Sequence, residues 1–272
     1  MIMKIKQTKN KANRKASHAT QHPAMKIMAR LGFVVTGLLH MMIGWIAVRI
    51  ATGSGGGEAS NSGAMAENTS RPGGQIFLWC MTVGLLALGL WRLLSAFLAE
   101  EKKNQAKAAI LGIVYLTLGF SAFRFAKGGS SSDGQQSSSL TAQLLGIPGG
   151  KAIIVLGGLI ILGVGVYGII KGSTRKFVED LESGAEKGKV GSGIILAGII
   201  GYVARGVAFL VLGGLVGWAA VSSDPEKASG MDAALRTIGQ QPFGAVLLSL
   251  VALGFMLYGI YSIARAKYTS EI

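Results

Sequence analysis

No aspartate or glutamate falls within a long hydrophobic run of this chain: all 13 acidic residues, from Glu58 to Glu271, lie between or beyond the runs. That absence argues against a proton- or sodium-coupled carrier, which keeps carboxylates near the membrane midplane. It also removes paired carboxylates for general acid–base work from the interior. Cysteine is scarcer still. The single Cys80 sits inside the second hydrophobic run, cannot form an intramolecular disulfide, and reads as a small apolar packer. Of three histidines two, His18 and His22, lie near the N-terminus, and no C-x-x-C or H-E-x-x-H spacing occurs. No metal site and no cofactor is expected.

What the chain has instead is apolar length. Half of its 272 residues are hydrophobic and 15% are charged, with a mean hydropathy of +0.48. Runs at about 29–51, 75–98, 107–127, 151–171, 198–221 and 242–264 each suffice to carry a helix across a bilayer core of about 30 Å. Gly, Ser, Lys and Glu fill the segments between them, leaving almost nothing for a soluble core. The expected fold class is an all-α membrane protein with six transmembrane helices. The first run follows a basic stretch, as a secretory signal would. It exceeds the roughly 7–15 residues of a signal core and continues into Ala47-Val48-Arg49, so it reads as a retained span.

The 27 lysines and arginines against 13 acids give a formal charge of +14, and their placement matters more than their sum. An even number of spans puts both termini on one side. Nineteen basic residues fall on that side and seven on the other, with Arg205 inside the fifth run. Positive residues favour the cytoplasmic face, so the expectation is N-in and C-in in the cytoplasmic membrane. The basic tail, residues 1–26, reads as a topology signal helped by anionic lipid at that face. It lacks the aromatic interleaving of a nucleic-acid binder, and no nucleic-acid partner is expected.

Internal repetition organises the rest. RPGG at 71–74, IPGG at 147–150 and QPFG at 241–244 each open an even-numbered run, so Pro72, Pro148 and Pro242 align at offsets of 76 and 94. The same offsets superpose Gly89, Gly165 and Gly259, and two residues later Trp91, Tyr167 and Tyr261. In the odd-numbered runs GFVVTG at 32–37 matches GYVARG at 201–206, with Gly112 standing for the last glycine in the middle copy, and Gly44, Gly119 and Gly213 follow. Two spans per copy enter the membrane the same way up, which makes three parallel helical-hairpin repeats with a pseudo-threefold relation. Repeat 1 spans 27–98, repeat 2 spans 105–171 and repeat 3 spans 198–266. The prolines are expected in the first helical turn, where a missing N–H costs nothing. A closed ring and a serial stack both fit the pattern.

Among the outer loops, Met231, Ala234, Leu235 and Ile238 recur at helical spacing, and Leu140, Leu144 and Ile147 make a similar stripe. The first outer loop, 53–70, is too rich in Gly and Ser to suggest a helix. Alternating charge in RKFVEDLESGAEKGK points to a solvated or interfacial helix, part of a cytoplasmic amphipathic linker over 172–197.

On YVARGVAFLVLG at 202–213, MDAALRTIGQQPFG at 231–244 and ALGFMLYGIYSIARA at 252–266, the chain resembles a family of bacterial membrane proteins catalogued as a domain of unknown function (DUF 1206). The first repeat keeps ARLGFVVTG and ALGLWRLLSAF, whereas the middle one has lost most of the A-R-x-G opening. The resemblance implies three tandem two-helix units and a bacterial inner-membrane location, and carries no activity with it.

Candidate functional residues follow from rarity and equivalence. Arg205 is costly in a membrane and either faces the interior or snorkels to headgroups. His40, Tyr115 and Phe209 occupy one repeat position and either pack or line a pore; Arg49 and Arg124, completed by Trp218, either line an anion-attracting mouth or anchor helix ends. The string GVGVYG at 163–168 matches a dinucleotide fingerprint, yet no strand precedes it. Positions 158, 165 and 168 share a helix face and are expected to touch another helix and no ligand. The reading that results is a non-enzymatic structural or interaction protein, possessing lipid as its first partner, with a homo-oligomer or an unknown membrane partner left open. The alternative is a channel or facilitator along the pseudo-threefold axis that favours anions.

Overall fold

The computed structural model of the chain describes residues 23–69, 72–98, 102–181 and 188–268. The basic tail up to residue 22 lies outside the described residues. Six helices are long and apolar enough to cross a membrane: α1 (Pro23–Ala51), α3 (Gly74–Leu98), α4 (Lys102–Ala126), α6 (Gly150–Ser173), α7 (Gly188–Ser222) and α9 (Gly244–Tyr268). Three short helices, α2 (Asn61–Thr69), α5 (Asp133–Leu145) and α8 (Gly230–Gly239), lie in the connections on one side. That side is called the cap face here, and the opposite one, where residues 23 and 268 lie, the terminal face. The chain is a multi-pass, all-helical membrane protein of three hairpin repeats.

The closest helix pairs form between repeats, not within them. Helix α3 packs along α4, α6 along α7, and α9 along α1. Each pair joins the even span of one copy to the odd span of the next, and the third joins the two ends of the chain. The spans therefore follow one another in the order α4, α3, α1, α9, α7, α6, joined through the two ends of the chain and open between α4 and α6, the spans of the middle repeat, which scarcely touch. Glycine makes the pairing possible. A Cβ on Gly259 would lie 2.5 Å from the Gly37 carbonyl oxygen, and one on Gly165 would lie 2.9 Å from that of Gly206. In the first pair, a Cβ on Gly89 would lie 2.9 Å from the Leu116 amide nitrogen and one on Gly112 would lie 3.0 Å from that of Leu93. Lipid tails are as apolar as the side chains they would replace, so such close backbone approach is what favours one helix over lipid as a neighbour.

Each even span is entered in the same way. Pro72, Pro148 and Pro242 stand in turns two residues ahead of the helix, not in its first turn. Each is followed by a left-handed residue, Gly73 (φ 77°), Gly149 (φ 79°) or Phe243 (φ 60°). The next glycine, Gly74, Gly150 or Gly244, presses on a carbonyl of the preceding short helix, where a Cβ would overlap Asn68, Leu144 or Gly239 oxygen. This corner ties each cap helix to its span. Gly150→Ala is expected to lower stability by about 1–3 kcal/mol, seen as a lower unfolding midpoint in detergent. Gly214→Ala, into open space, leaves the midpoint unchanged.

The cap binds the three repeats together. The Asp133 carboxylate accepts from the Ser62 backbone N–H at 3.2 Å and from its hydroxyl, Glu58 accepts from the Gly134 N–H at 3.0 Å, and Asp232 accepts from the Ala59 N–H at 2.8 Å. These tertiary bonds give the first outer loop a helix that its composition hides. In α8 the expected stripe holds, with Ala234, Leu235 and Ile238 buried. In α5 the expected stripe faces outward, since Leu140 and Ile147 are exposed and Gly134 and Thr141 are the buried residues. The linker is also shorter than 172–197, because α6 runs to Ser173 and α7 starts at Gly188. Between them Lys176–Asp180 makes a 3-10 turn that sends Phe177 into the bundle, fully buried.

Candidate functional site

The interior divides into two unlike halves. Toward the cap, Leu39, Ile43, Leu78, Met81, Leu85, Leu248 and Phe255 are each no more than 5% exposed and form one continuous apolar cluster. Toward the terminal face the interior is aromatic and basic, and most of the unusual side chains gather there.

Arg205, on α7, turns its guanidinium inward. Nη1 donates to the Tyr258 hydroxyl at 2.8 Å, and the group lies 4.9 Å from the Tyr258 ring centroid and 5.2 Å from that of Phe209. Two aromatic faces and a phenol offset part of the cost of keeping a cation in the membrane, at about 0.5–2 kcal/mol per ring. His40, on α1, donates from Nδ1 to the Thr36 carbonyl at 2.8 Å in its own helix, and its ring packs on Phe255 and Tyr258 at 5.8 and 4.7 Å. Tyr115, on α4, packs against the apolar cluster. It lies within electrostatic reach of Arg92, Arg205, Arg265 and Tyr258. His40 and Phe209 thus meet through Tyr258 and Arg205, while Tyr115 sits against the apolar cluster, and the three equivalent positions make no uniform ring of polar groups.

Beneath them lies a tier of aromatics. Phe177 stacks on Tyr202 at 5.3 Å and meets Tyr261 edge-on at 5.1 Å, while the Tyr261 hydroxyl donates to the Phe177 carbonyl at 3.3 Å. Asp180, in the same turn, accepts from Lys171 at 2.7 Å and pairs with Arg265 at 3.4 Å, and Arg265 also stacks 4.6 Å from Phe33. One linker carboxylate therefore serves two cations from α6 and α9. Arg92, on α3, has no carboxylate partner among the described residues, and its buried Nε makes no hydrogen bond.

The remaining sequence candidates lie elsewhere. Arg49 reaches Glu67 on α2 at 3.4 Å, Arg124 donates to the Ser130 carbonyl at 2.9 Å, and Trp218 is 57% exposed. Each of the two arginines is engaged by a partner of its own. Trp91, Tyr167 and Tyr261 are equivalent in sequence and unlike in place: half-buried, exposed and fully buried. Gly158, Gly165 and Gly168 of the fingerprint face meet Gly213, Gly206 and Gly206 of α7. Cys80 is exposed on the outer surface of the bundle rather than packed inside. Among the described residues, no three His, Cys, Asp or Glu come together as a metal-binding group.

Sequence reasoning passed over Arg92, Tyr258, Arg265 and Phe177. A signal for Arg92 was present, because Gly168 and Ser262 hold its position in the other repeats. An arginine replacing a small residue on a packing face has to be accommodated inside.

The Domain of Unknown Function (DUF1206) model matches the chain three times, over residues 31–99, 106–175 and 200–269. The chain is similar to the uncharacterized protein YxxB of Bacillus subtilis (strain 168), with 27% identity over 254 residues, 90% of this chain and 92% of that protein. No solved structure matches it. Each of the three matches takes in one pair of spans with its cap helix, and on the strength of these matches the chain belongs to the DUF1206 family.

Proposed function

We propose that the protein is a non-enzymatic structural or interaction protein of the bacterial cytoplasmic membrane, with both ends in the cytoplasm. The observation that carries this reading is the apolar layer of Leu39, Ile43, Leu78, Met81, Leu85, Leu248 and Phe255. It stands between the basic half of the interior and the cap, where water and ions would otherwise pass. The nineteen-to-seven distribution of basic residues supports the orientation. The tail, 1–26, then meets anionic lipid headgroups at the cytoplasmic face. No span carries a carboxylate, and Asp180 of the linker, which reaches the interior, is already shared by Lys171 and Arg265.

The interior arginines favour a second reading, an anion-selective channel or facilitator. It requires the apolar layer to part. Proteoliposomes loaded with chloride- and phosphate-sensitive probes separate the two, with Arg205→Ala as the control. The expected outcome is no flux above protein-free vesicles for either protein. Flux that Arg205→Ala abolishes would establish the channel.

A further inference from the structure

We propose that the groove along the outer face of α1 holds one acyl chain of a membrane phospholipid, with the phosphate of its headgroup against Arg49. Leu38, Met41, Met42 and Trp45 form the floor of this groove. They follow one another at i, i+3, i+4 and i+7 and so share one face of the helix. Phe77 of α3 and Met256 of α9 make its sides, and Asn68 of α2 stands at the cap end. The volume is about 560 Å³, inside the roughly 300–1,000 Å³ of small-molecule sites. Leu39, Ile43 and Ile46, on the other side of α1, belong to the apolar cluster. The groove therefore opens outward, and Trp45 is 48% exposed.

The surroundings select the occupant. All four floor residues lie within the membrane-crossing stretch Arg30–Ala51, so what meets the groove from outside is lipid hydrocarbon. From Leu38 to Arg49 the helix rises about 16 Å, the depth of one leaflet of a core about 30 Å thick. That length suits a single chain lying along the helix in the leaflet nearer the cap. Arg49 stands one turn beyond Trp45 on the same face, its side chain 36% exposed, where such a chain brings its headgroup. Its Nη1 meets Glu67 at 3.4 Å. That contact engages one corner of a planar fork whose other N–H donors suit a phosphate.

The way α1 is packed leaves room there. Toward the terminal face α1 meets α3 closely, where a Cβ on Gly32 would overlap Leu88, and it meets α9 through Gly37 and Gly44. The groove carries methionines in place of glycines, and their flexible thioethers follow the shape of an occupant. Asn68 Nδ2 donates to Met42 Sδ at 2.9 Å and to the Ala64 carbonyl at 3.0 Å, which ties the cap helix to the floor and leaves the wall apolar. A chain seated there completes the junction of α1 with α3. The site stands whether or not the interior conducts.

Native mass spectrometry of the full-length protein, released from neutral detergent with phosphatidylglycerol as the probe, tests it. A single phospholipid is expected to saturate the protein and to remain at collision energies that strip the rest. Leu38→Trp, which fills the groove, should lower the bound fraction at least tenfold, and Arg49→Gln at least threefold. Glu67→Gln, which breaks the ion pair but keeps the cation, should retain the lipid. Val164→Trp, on the exposed face of α6, should retain it too. Absence of a retained lipid, or equal retention by Leu38→Trp, overturns the proposal, and equal retention by Arg49→Gln overturns the headgroup contact. A wild-type dimer that Leu38→Trp dissociates would give the groove to a second copy of the chain and overturn it as well. Should Leu38→Trp fail to fold, photolabelling of the wild type decides, using phosphatidylglycerol with a diazirine on its chain. Label on residues 38–45 at lower probe concentrations than on the lipid-facing Leu159 and Ile160 supports the site. Label appearing on both together overturns it.

Discussion

Gly259→Leu is expected to separate α9 from α1 and split the bundle at that junction, at a cost of about 3 kcal/mol or more, the upper end for overpacking. The first atom of the new side chain would meet the Gly37 carbonyl oxygen and Met41 Cγ, each at 2.5 Å. Backbone cannot rotate aside as a side chain can, so the helices must move apart. Once apart they gain nothing from the hydrophobic effect, because lipid fills the gap as favourably as the partner did. The loss should appear as a lower unfolding midpoint in detergent and a polydisperse elution profile. Gly165→Leu, at the equivalent place in α6, should behave alike. Gly163→Leu, two residues away and facing open space, should behave as wild type.

Phe177→Ala is expected to cost about 3–5 kcal/mol, the range for removing a fully buried aromatic. The ring is 0% exposed, stacks on Tyr202 and lies against Gly198, whose lack of a side chain admits it. Its removal also loosens the turn that carries Asp180 to Lys171 and Arg265, so two cations lose their counter-charge together. Limited trypsin digestion provides a second reading. Cleavage after Arg175 and Lys176 should accelerate sharply in Phe177→Ala and only slightly in Phe177→Leu. Equal cleavage rates in all three proteins would show that the ring does not hold the linker.

The span count, the three repeats and the glycine faces are legible in the sequence because they rest on local patterns: apolar length, and Pro and Gly kept in step. The partner of each glycine face is not. The same pattern suits packing within a hairpin or between neighbours, and only geometry shows Gly165 against Gly206 rather than against its own hairpin partner. Helix α2 is hidden for another reason. Its stability comes from Asp133, 71 residues away, which no local propensity reflects. The linker misleads through its charges: alternation in RKFVED suggests a solvated helix, yet one aromatic within it outweighs the polar surroundings and plugs the bundle. For the interior site, Arg205 is conspicuous as a lone charge in a hydrophobic run. Arg92 resembles a residue at a helix end until its Nε is found buried and without a hydrogen bond.

The central claim is that the first and last repeats are joined through α9 and α1. Met41 and Met256 flank that junction, each meeting the glycine of the opposite helix, and they line one groove together with Leu38 and Trp45. Met41→Cys and Met256→Cys, combined in a Cys80→Ser background and treated in membranes with a short bis-maleimide, test the junction directly. The junction predicts efficient cross-linking within one chain, seen as a shift in electrophoretic mobility that either single-cysteine protein lacks. A serial stack holds the first and last spans apart, so absence of the link, or a link formed only between two chains, would contradict the junction.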